Sequence, residues 1–265
     1  MLTPSDLERL AARHRSLLKQ EPATTVEVLG CGEDAVVRKT YRNLGRRWLQ
    51  SFGRRSRARR EFDNLAAVAR GGVPCTTPLA WSERRRLGCI DECSIVTRYL
   101  PDSRTLKRVL SERPRPARDG TRARLAAAMG RLLAALHDNG FLWCTAMPRN
   151  VLVLGAAEHA RLAVCDTPAG IRIGRSLRQG RLARIDLFDA AFSPSRRADF
   201  SATERLRSLL AYCDGERARA RRLWRALTRR SVLRHDVGRA LAMFWHTYIL
   251  LPLRPGRRHR NDPAR

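Results

Sequence analysis

Residues 136–166, LHDNGFLWCTAMPRNVLVLGAAEHARLAVCD, constrain the fold of this chain more than any other stretch. A helical pattern stops at Asn139-Gly140, a natural terminus because glycine accepts the left-handed backbone that ends a helix. After a loop, Asn150 opens the apolar run Val151-Leu152-Val153-Leu154. A turn follows over residues 155–160, and a second apolar run, Leu162-Ala163-Val164-Cys165, stops on Asp166. Two short strands joined this way deliver an Asn and an Asp to the same end of a hairpin. Their oxygens are hard ligands on rigid elements, which is what a divalent cation carrying phosphate requires.

Size and charge bound the rest. With 265 residues, 43% of them apolar, the chain can bury a core for one domain or two lobes. Charge is the outlier: 53 Lys and Arg stand against 25 Asp and Glu, a formal net charge of +28. Such an excess bears on partners only where it clusters. It clusters at Arg46-Arg47 and across residues 54–60, 84–86 and 254–260. These groups suit an anionic partner, whether nucleotide, nucleic acid or an anionic lipid surface. Aromatic residues make up only 6% and no nucleic-acid recognition motif is present, which argues against nucleic acid. The seven cysteines form no C-x-x-C pair, and Cys89 and Cys93 lack a zinc-knuckle spacing, so reduced thiols are expected. The first residues lack the apolar segment of a secretion signal. The expected compartment is therefore the cytoplasm, or the cytoplasmic face of a membrane.

Residues 5–19 carry an approximate helical stripe that Ser5 would cap. Residues 24–29 alternate and are β-branched, hence a strand. Gly30-Cys31-Gly32-Glu33-Asp34 reads as a turn, and residues 35–41 as a second strand ending near Lys39. Lys39 shares a face with Val37 and Tyr41, while Arg38 points the other way. Lys39 is one of three lysines in an arginine-rich chain and is the candidate phosphate-binding cation. Residues 43–60 form a basic, partly helical insertion. A helix with Phe62, Leu65, Ala66 and Ala69 on one face then runs to the stop signal Gly71-Gly72-Val73-Pro74. Glu61 on that helix is the candidate partner for Lys39. Strands are expected over residues 78–81 and 93–100, with a basic turn over 83–86. A helix is expected over 103–110, then a connector at Arg113-Pro114-Arg115-Pro116. Residues 122–137 give the clearest helix, with Leu125, Ala128, Met129, Leu132, Leu133 and Leu136 at helical spacing. His137 near its end reads as a residue satisfying the helix dipole. Helices are also expected over 203–212, 216–227 and 237–251.

The protein-kinase catalytic loop has the form H-R-D-L-x-x-x-N, followed by D-F-G. In this chain WCTAMPRN, residues 143–150, falls on the loop and Asp166-Thr167-Pro168 on the second motif. Together with residues 56–61 (SRARRE), Leu65, Gly72-Val73-Pro74 and residues 136–141 (LHDNGF), these features resemble the bacterial lipopolysaccharide core kinases, which phosphorylate Kdo or heptose sugars. The resemblance covers roughly residues 26–210. It implies an α+β, two-lobed protein-kinase-like fold: an N-terminal helix (1–20), an antiparallel sheet lobe (21–101), a helical lobe (102–253) and a basic tail (254–265). It further implies ATP and Mg²⁺ as cofactors. Lys39 would bind phosphates and Glu61 would orient it. Gly30 and Gly32 would cover the phosphates, and Asn150 and Asp166 would hold the metal. Asp186 would hold the backbone of the catalytic loop. Thr145 takes the place of the catalytic Asp and cannot act as a base near neutral pH. Trp143 replaces the loop His, and Thr167-Pro168 replaces Phe-Gly.

Three functional readings stay open from these residues. The first is a nucleotide-binding pseudokinase acting in lipopolysaccharide core assembly or regulation. The second is an active kinase of an inner-core sugar, with Asp138 or Asp166 as a displaced base. The third is an anionic-lipid-binding protein that keeps only the fold. The apolar residues 240–253, shorter than the roughly 20 needed to span a bilayer, run into the basic tail. They read as a core helix or, with Trp245 and Tyr248, as a peripheral membrane attachment.

Overall fold

The computed structural model describes residues 3–113, 120–155, 161–193, 199–229 and 231–244. The first helix, α1 (Pro4–Arg13), is capped by Thr3, whose hydroxyl accepts from the Asp6 N–H while Asp6 reaches back to the Thr3 N–H. Ser5, the expected cap, lies inside the first turn. The helix lays Leu7, Leu10 and Ala11 on Leu29, Val36, Ala80 and Val96.

The helix expected through residue 19 stops at Arg13, where His14 turns extended. Arg15–Glu21 is instead a strand, β1, joined by the two-residue turn Pro22-Ala23 to β2 (Thr24–Leu29). Pro22 cannot continue a helix. Pairing with β2, from Arg15 opposite Leu29 to Glu21 opposite Thr24, gives these backbone groups a partner. Leu17 and Leu18 remain exposed on this edge strand, so no alternating pattern marks it in the sequence.

After the 3₁₀ turn Gly32–Asp34 comes β3 (Val36–Arg42), then the short helix α2 (Arg46–Leu49) and the long helix α3 (Arg57–Arg70). The Ser56 hydroxyl caps α3 by accepting from the Arg59 N–H at 3.1 Å. Two strands follow, β4 (Pro78–Arg86) and β5 (Cys89–Arg98). Residues 83–86, expected as a turn, continue β4, and the reversal falls at Leu87-Gly88. The sheet has the order β1-β2-β3-β5-β4, with every neighbouring pair antiparallel. Leu65 and Val68 of α3 share a core with Ile90, Cys93 and Ile95 of β5.

The second lobe is largely helical. It opens with β6 (Arg104–Thr105) and α4 (Leu106–Ser111), followed by α5 (Thr121–Asp138). Short strands β7 (Phe141–Leu142), β8 (Val151–Leu154), β9 (Arg161–Val164) and β10 (Ile171–Arg172) come next. Then come α6 (Ala183–Leu187), running into a π turn at Phe188–Phe192, α7 (Ala202–Tyr212), α8 (Arg217–Thr228) and α9 (Val232–Phe244). Helix α5 is the spine of this lobe, burying Leu125, Met129, Leu132, Leu133 and Leu136. It meets α7 so closely at Gly130 that an added Cβ would lie 2.0 Å from the Ser208 carbonyl oxygen. The buried pair Arg122–Glu204, 2.8 Å apart, joins the same two helices. Among the described residues no helix is long and apolar enough to cross a membrane. Of the apolar C-terminal run, residues 240–244 belong to α9. Trp245, Tyr248 and the basic tail lie outside the described residues, as do Pro114 to Pro116 of the expected connector.

Candidate functional site

The alternation of β3 decides which cation faces inward. Arg38 turns to Glu27, 2.7 Å away, and Lys39 turns to the opposite face. Lys39 Nζ donates to Asp166 Oδ1 at 2.8 Å and lies 3.4 Å from Glu61 Oε1. Tyr41, two residues along the same face, donates its hydroxyl to Glu61 Oε2 at 2.6 Å. The expected Lys39–Glu61 pair is therefore present, and Asp166 makes it a triad.

Burial and neighbouring charge shift Lys39 and Glu61. Burial alone would pull the Lys39 ammonium down, but Glu61 and Asp166 more than reverse this and hold it well above its usual range. Burial, reinforced by Asp166, raises the Glu61 carboxyl to about 6 against the opposing pull of Lys39 and Tyr41. The Tyr41 hydroxyl is pushed up by burial and by Glu61, and remains a donor.

Helix α3 also ties down the segment after Asp166. Asn64 Nδ2 donates to the carbonyls of Thr167 at 2.7 Å and Gly170 at 3.0 Å. The Thr167 hydroxyl donates to the Glu61 carbonyl at 3.4 Å. Thr167, a departure from the kinase pattern, thus ties this segment to α3. Gly170 passes so close to Phe141 that an added Cβ would lie 2.3 Å from Cζ.

The loop at residues 143–150 hangs on one buried carboxylate. Asp186, on α6, accepts from the N–H groups of Trp143 and Cys144, each at 2.7 Å. Cys144 adopts a φ of +63°, a left-handed conformation that costs a non-glycine residue about 1–2 kcal/mol. The two bonds to Asp186 hold it there. His137 is fully buried, with Nε2 3.1 Å from Asp186 and Nδ1 2.9 Å from the Tyr212 hydroxyl. It positions Asp186 rather than serving the end of α5.

The Trp143 indole N–H donates to the Asp166 carbonyl at 2.6 Å. Asn150 lies where expected, at the end of β8, and its carbonyl accepts from the Cys165 N–H at 3.1 Å. This bond holds the Asn150 and Asp166 ends of the β8–β9 hairpin together. Asn150 Nδ2 donates to the Thr145 carbonyl at 2.9 Å. Asn150 Oδ1 and Asp166 Oδ2 remain without a hydrogen-bond partner among the described residues, and two such oxygens are a donor set that fits Mg²⁺. The Thr145 hydroxyl is buried without a partner among the described residues.

Gly30 does not fit its expected role. Its N–H is taken by the carbonyls of Leu10 at 3.1 Å and His14 at 3.0 Å, so it serves the junction of α1 and β2 rather than a phosphate. Gly32 opens the turn before β3 at a φ of +64°, with open space where a Cβ would stand. Asp138 is engaged by Arg178 at 2.9 Å. The sequence reading missed Tyr41, Asn64 and the Trp143 indole as members of the site. Tyr41 left a signal in sharing the Lys39 face of its strand, and Asn64 in falling one helical turn after Glu61 on α3.

No curated protein matches the chain. In fold it is similar to WaaP, solved in complex with acyl carrier protein, at 19% identity over 89% of each chain with a TM-score of 0.58. The Mycobacterium tuberculosis PknI kinase domain is 16% identical, over 80% of this chain and 92% of that one, with a TM-score of 0.45. The likeness to WaaP shows a kinase-like fold, in which an antiparallel sheet lobe meets a helical lobe. The model of the lipopolysaccharide kinase (Kdo/WaaP) family matches residues 24–186, a span that runs from β2 through Lys39, Glu61, Asn150 and Asp166 to the loop anchor Asp186. Matched over well over half of its length, the chain belongs to the lipopolysaccharide kinase (Kdo/WaaP) family.

Proposed function

We propose that this family member is a nucleotide-binding pseudokinase acting in lipopolysaccharide core assembly or regulation at the cytoplasmic side of the membrane. The observation that carries the reading is the contrast within one site. The Lys39–Glu61–Asp166 triad is assembled, while the base position holds a Thr145 hydroxyl buried without a partner among the described residues. A hydroxyl there neither takes a proton near neutral pH nor brings negative charge to orient an acceptor. Losing a general base typically costs 10²–10⁴-fold in rate, roughly.

In this reading Lys39 binds the phosphates of ATP and Asn150 with Asp166 holds Mg²⁺. Bound there, Mg²⁺ would supply positive charge that offsets the phosphate charge. Asp166 is then shared between Lys39 and the ion, and the bond from Trp143 keeps its backbone fixed during the exchange. Gly32 remains the glycine that can approach the nucleotide.

The test is a thermal shift with ATP, with and without Mg²⁺, on the full chain and on Asp166→Ala. A Mg²⁺-dependent shift that the variant loses is expected. On the same sample, ATP turnover onto a Kdo or heptose acceptor should stay far below ordinary kinase rates of about 1–100 s⁻¹. Turnover within that range would overturn the pseudokinase reading.

A further inference from the structure

The outer edge of the sheet lobe is apolar where a turn is usually polar. Leu87, at the tip between β4 and β5, is 82% exposed at a φ of +50°, a conformation normally left to Gly, Asn or Asp. Beside it, the insertion around α2 leaves Leu44 58%, Leu49 64% and Phe52 67% exposed, and α2 buries none of its residues. These two segments form one edge. The Gly53 N–H donates to the Gly88 carbonyl at 3.4 Å, Arg85 donates to the Arg54 carbonyl at 2.6 Å, and the Phe52 ring stands over Gly88.

The charge of this edge is predominantly positive, although Arg84 lies 4.0 Å from Asp91. Arg46, Arg47, Arg84 and Arg86 stand on it, with the Arg86 guanidinium 5.2 Å from the centre of the Trp48 ring. The acids nearby are already engaged. Asp91 accepts from the Trp48 indole N–H at 2.6 Å, and Glu92 pairs with Arg42 at 2.9 Å. Between the segments lies a cleft of about 460 Å³ lined by Arg42, Arg84 and Arg86 together with Trp48 and the two engaged acids, Asp91 and Glu92. Single apolar side chains on adjoining tips, separated by arginines, do not make a socket for a partner's side chains. They match an interface in which apolar tips enter the acyl boundary and cations meet phosphates.

We propose that this edge, residues 44–52 with the Leu87 turn, docks the protein on an anionic lipid bilayer. The site lies on the sheet lobe, apart from the Lys39 triad and independent of the C-terminal tail. Docking here would leave the nucleotide residues untouched.

The test is co-sedimentation of the full chain with vesicles of phosphatidylcholine alone or mixed with phosphatidylglycerol. Binding to the mixed vesicles, weakened by salt, is expected. Phe52→Ser with Leu87→Ser, and separately Arg46→Glu with Arg47→Glu, should each cut it by roughly tenfold or more. All four side chains lie on the surface, and an unchanged melting temperature would verify folding. Equal binding by both double variants and the parent chain would overturn the proposal, as would no binding of the parent chain to mixed vesicles. Equal binding to both lipid compositions would overturn the role of the arginines.

Discussion

The indole N–H of Trp143 donates to the backbone oxygen of Asp166 at 2.6 Å, so the residue replacing the loop histidine fixes the backbone of Asp166, the proposed metal ligand. Trp143→Phe removes the donor and leaves the partly buried Asp166 carbonyl unmatched, which costs about 1–3 kcal/mol. Trp143→His is smaller still but restores a ring N–H. In chemical denaturation the Phe variant should be less stable than the parent chain. The His variant should keep more of the Mg²⁺-nucleotide thermal shift than the Phe variant. A Phe variant matching the parent in both measurements would show that the bond is incidental.

Thr145→Asp places a carboxylate at the proposed base position, beside Asn150. Phosphotransfer to a sugar acceptor should rise by roughly tenfold or more, a fraction of the 10²–10⁴ a general base contributes. Nucleotide affinity should change little, because Lys39 and Glu61 are untouched. A radiolabel-transfer assay reads the outcome, and an unchanged rate would show that more than the base is missing.

Glu61 gives a pH dependence with a definite sign. Its folded-state pKa is raised from 4.5 to about 6, so the folded state holds its proton longer than the unfolded chain. That contribution to stability is fully present below about 4.5 and is lost as pH rises through about 6. Lys39 stays charged throughout this window. Glu27 and Glu204, held down by Arg38 and Arg122 against their burial, run the opposite way. Comparison with Glu61→Gln cancels them. The stability of the parent chain relative to Glu61→Gln should fall by roughly 1–2 kcal/mol between these limits. Parallel pH curves would rule the assignment out.

Gly130→Ala places a methyl group 2.0 Å from the Ser208 carbonyl oxygen and 3.1 Å from the Tyr212 nitrogen. Helices α5 and α7 must part, at a cost of about 1–3 kcal/mol despite the higher helix propensity of alanine. The strain lies next to the Tyr212–His137–Asp186 chain, so the loop at residues 143–150 should loosen as well. Hydrogen exchange at the Trp143 and Cys144 amides should quicken more than global unfolding explains.

What the sequence determined by itself was local. Alternation in β3 put Lys39 and Tyr41 on one face and Arg38 on the other. Helical spacing and Asn139-Gly140 bounded α5, and two apolar runs, one opened by Asn150 and the other closed by Asp166, specified the β8–β9 hairpin. The resemblance to the lipopolysaccharide core kinases was enough to anticipate Asp186 as the holder of the backbone of the loop at residues 143–150. What only the tertiary structure decided depended on contacts distant in the chain. Arg15–Glu21 became a strand because β2 offered backbone partners, although its exposed side chains carry no strand pattern. Gly30 lost its N–H to the carbonyls of Leu10 and His14 at the end of α1, which no local turn motif foretells. Trp143 and Thr167, which read as decay of a motif, acquired hydrogen bonds across 23 and 106 residues of chain to Asp166 and Glu61. Local periodicity follows from backbone geometry and is written in neighbouring residues. The partner of a buried polar group is set by which element packs against it, and that is fixed only when the two lobes close on a common core.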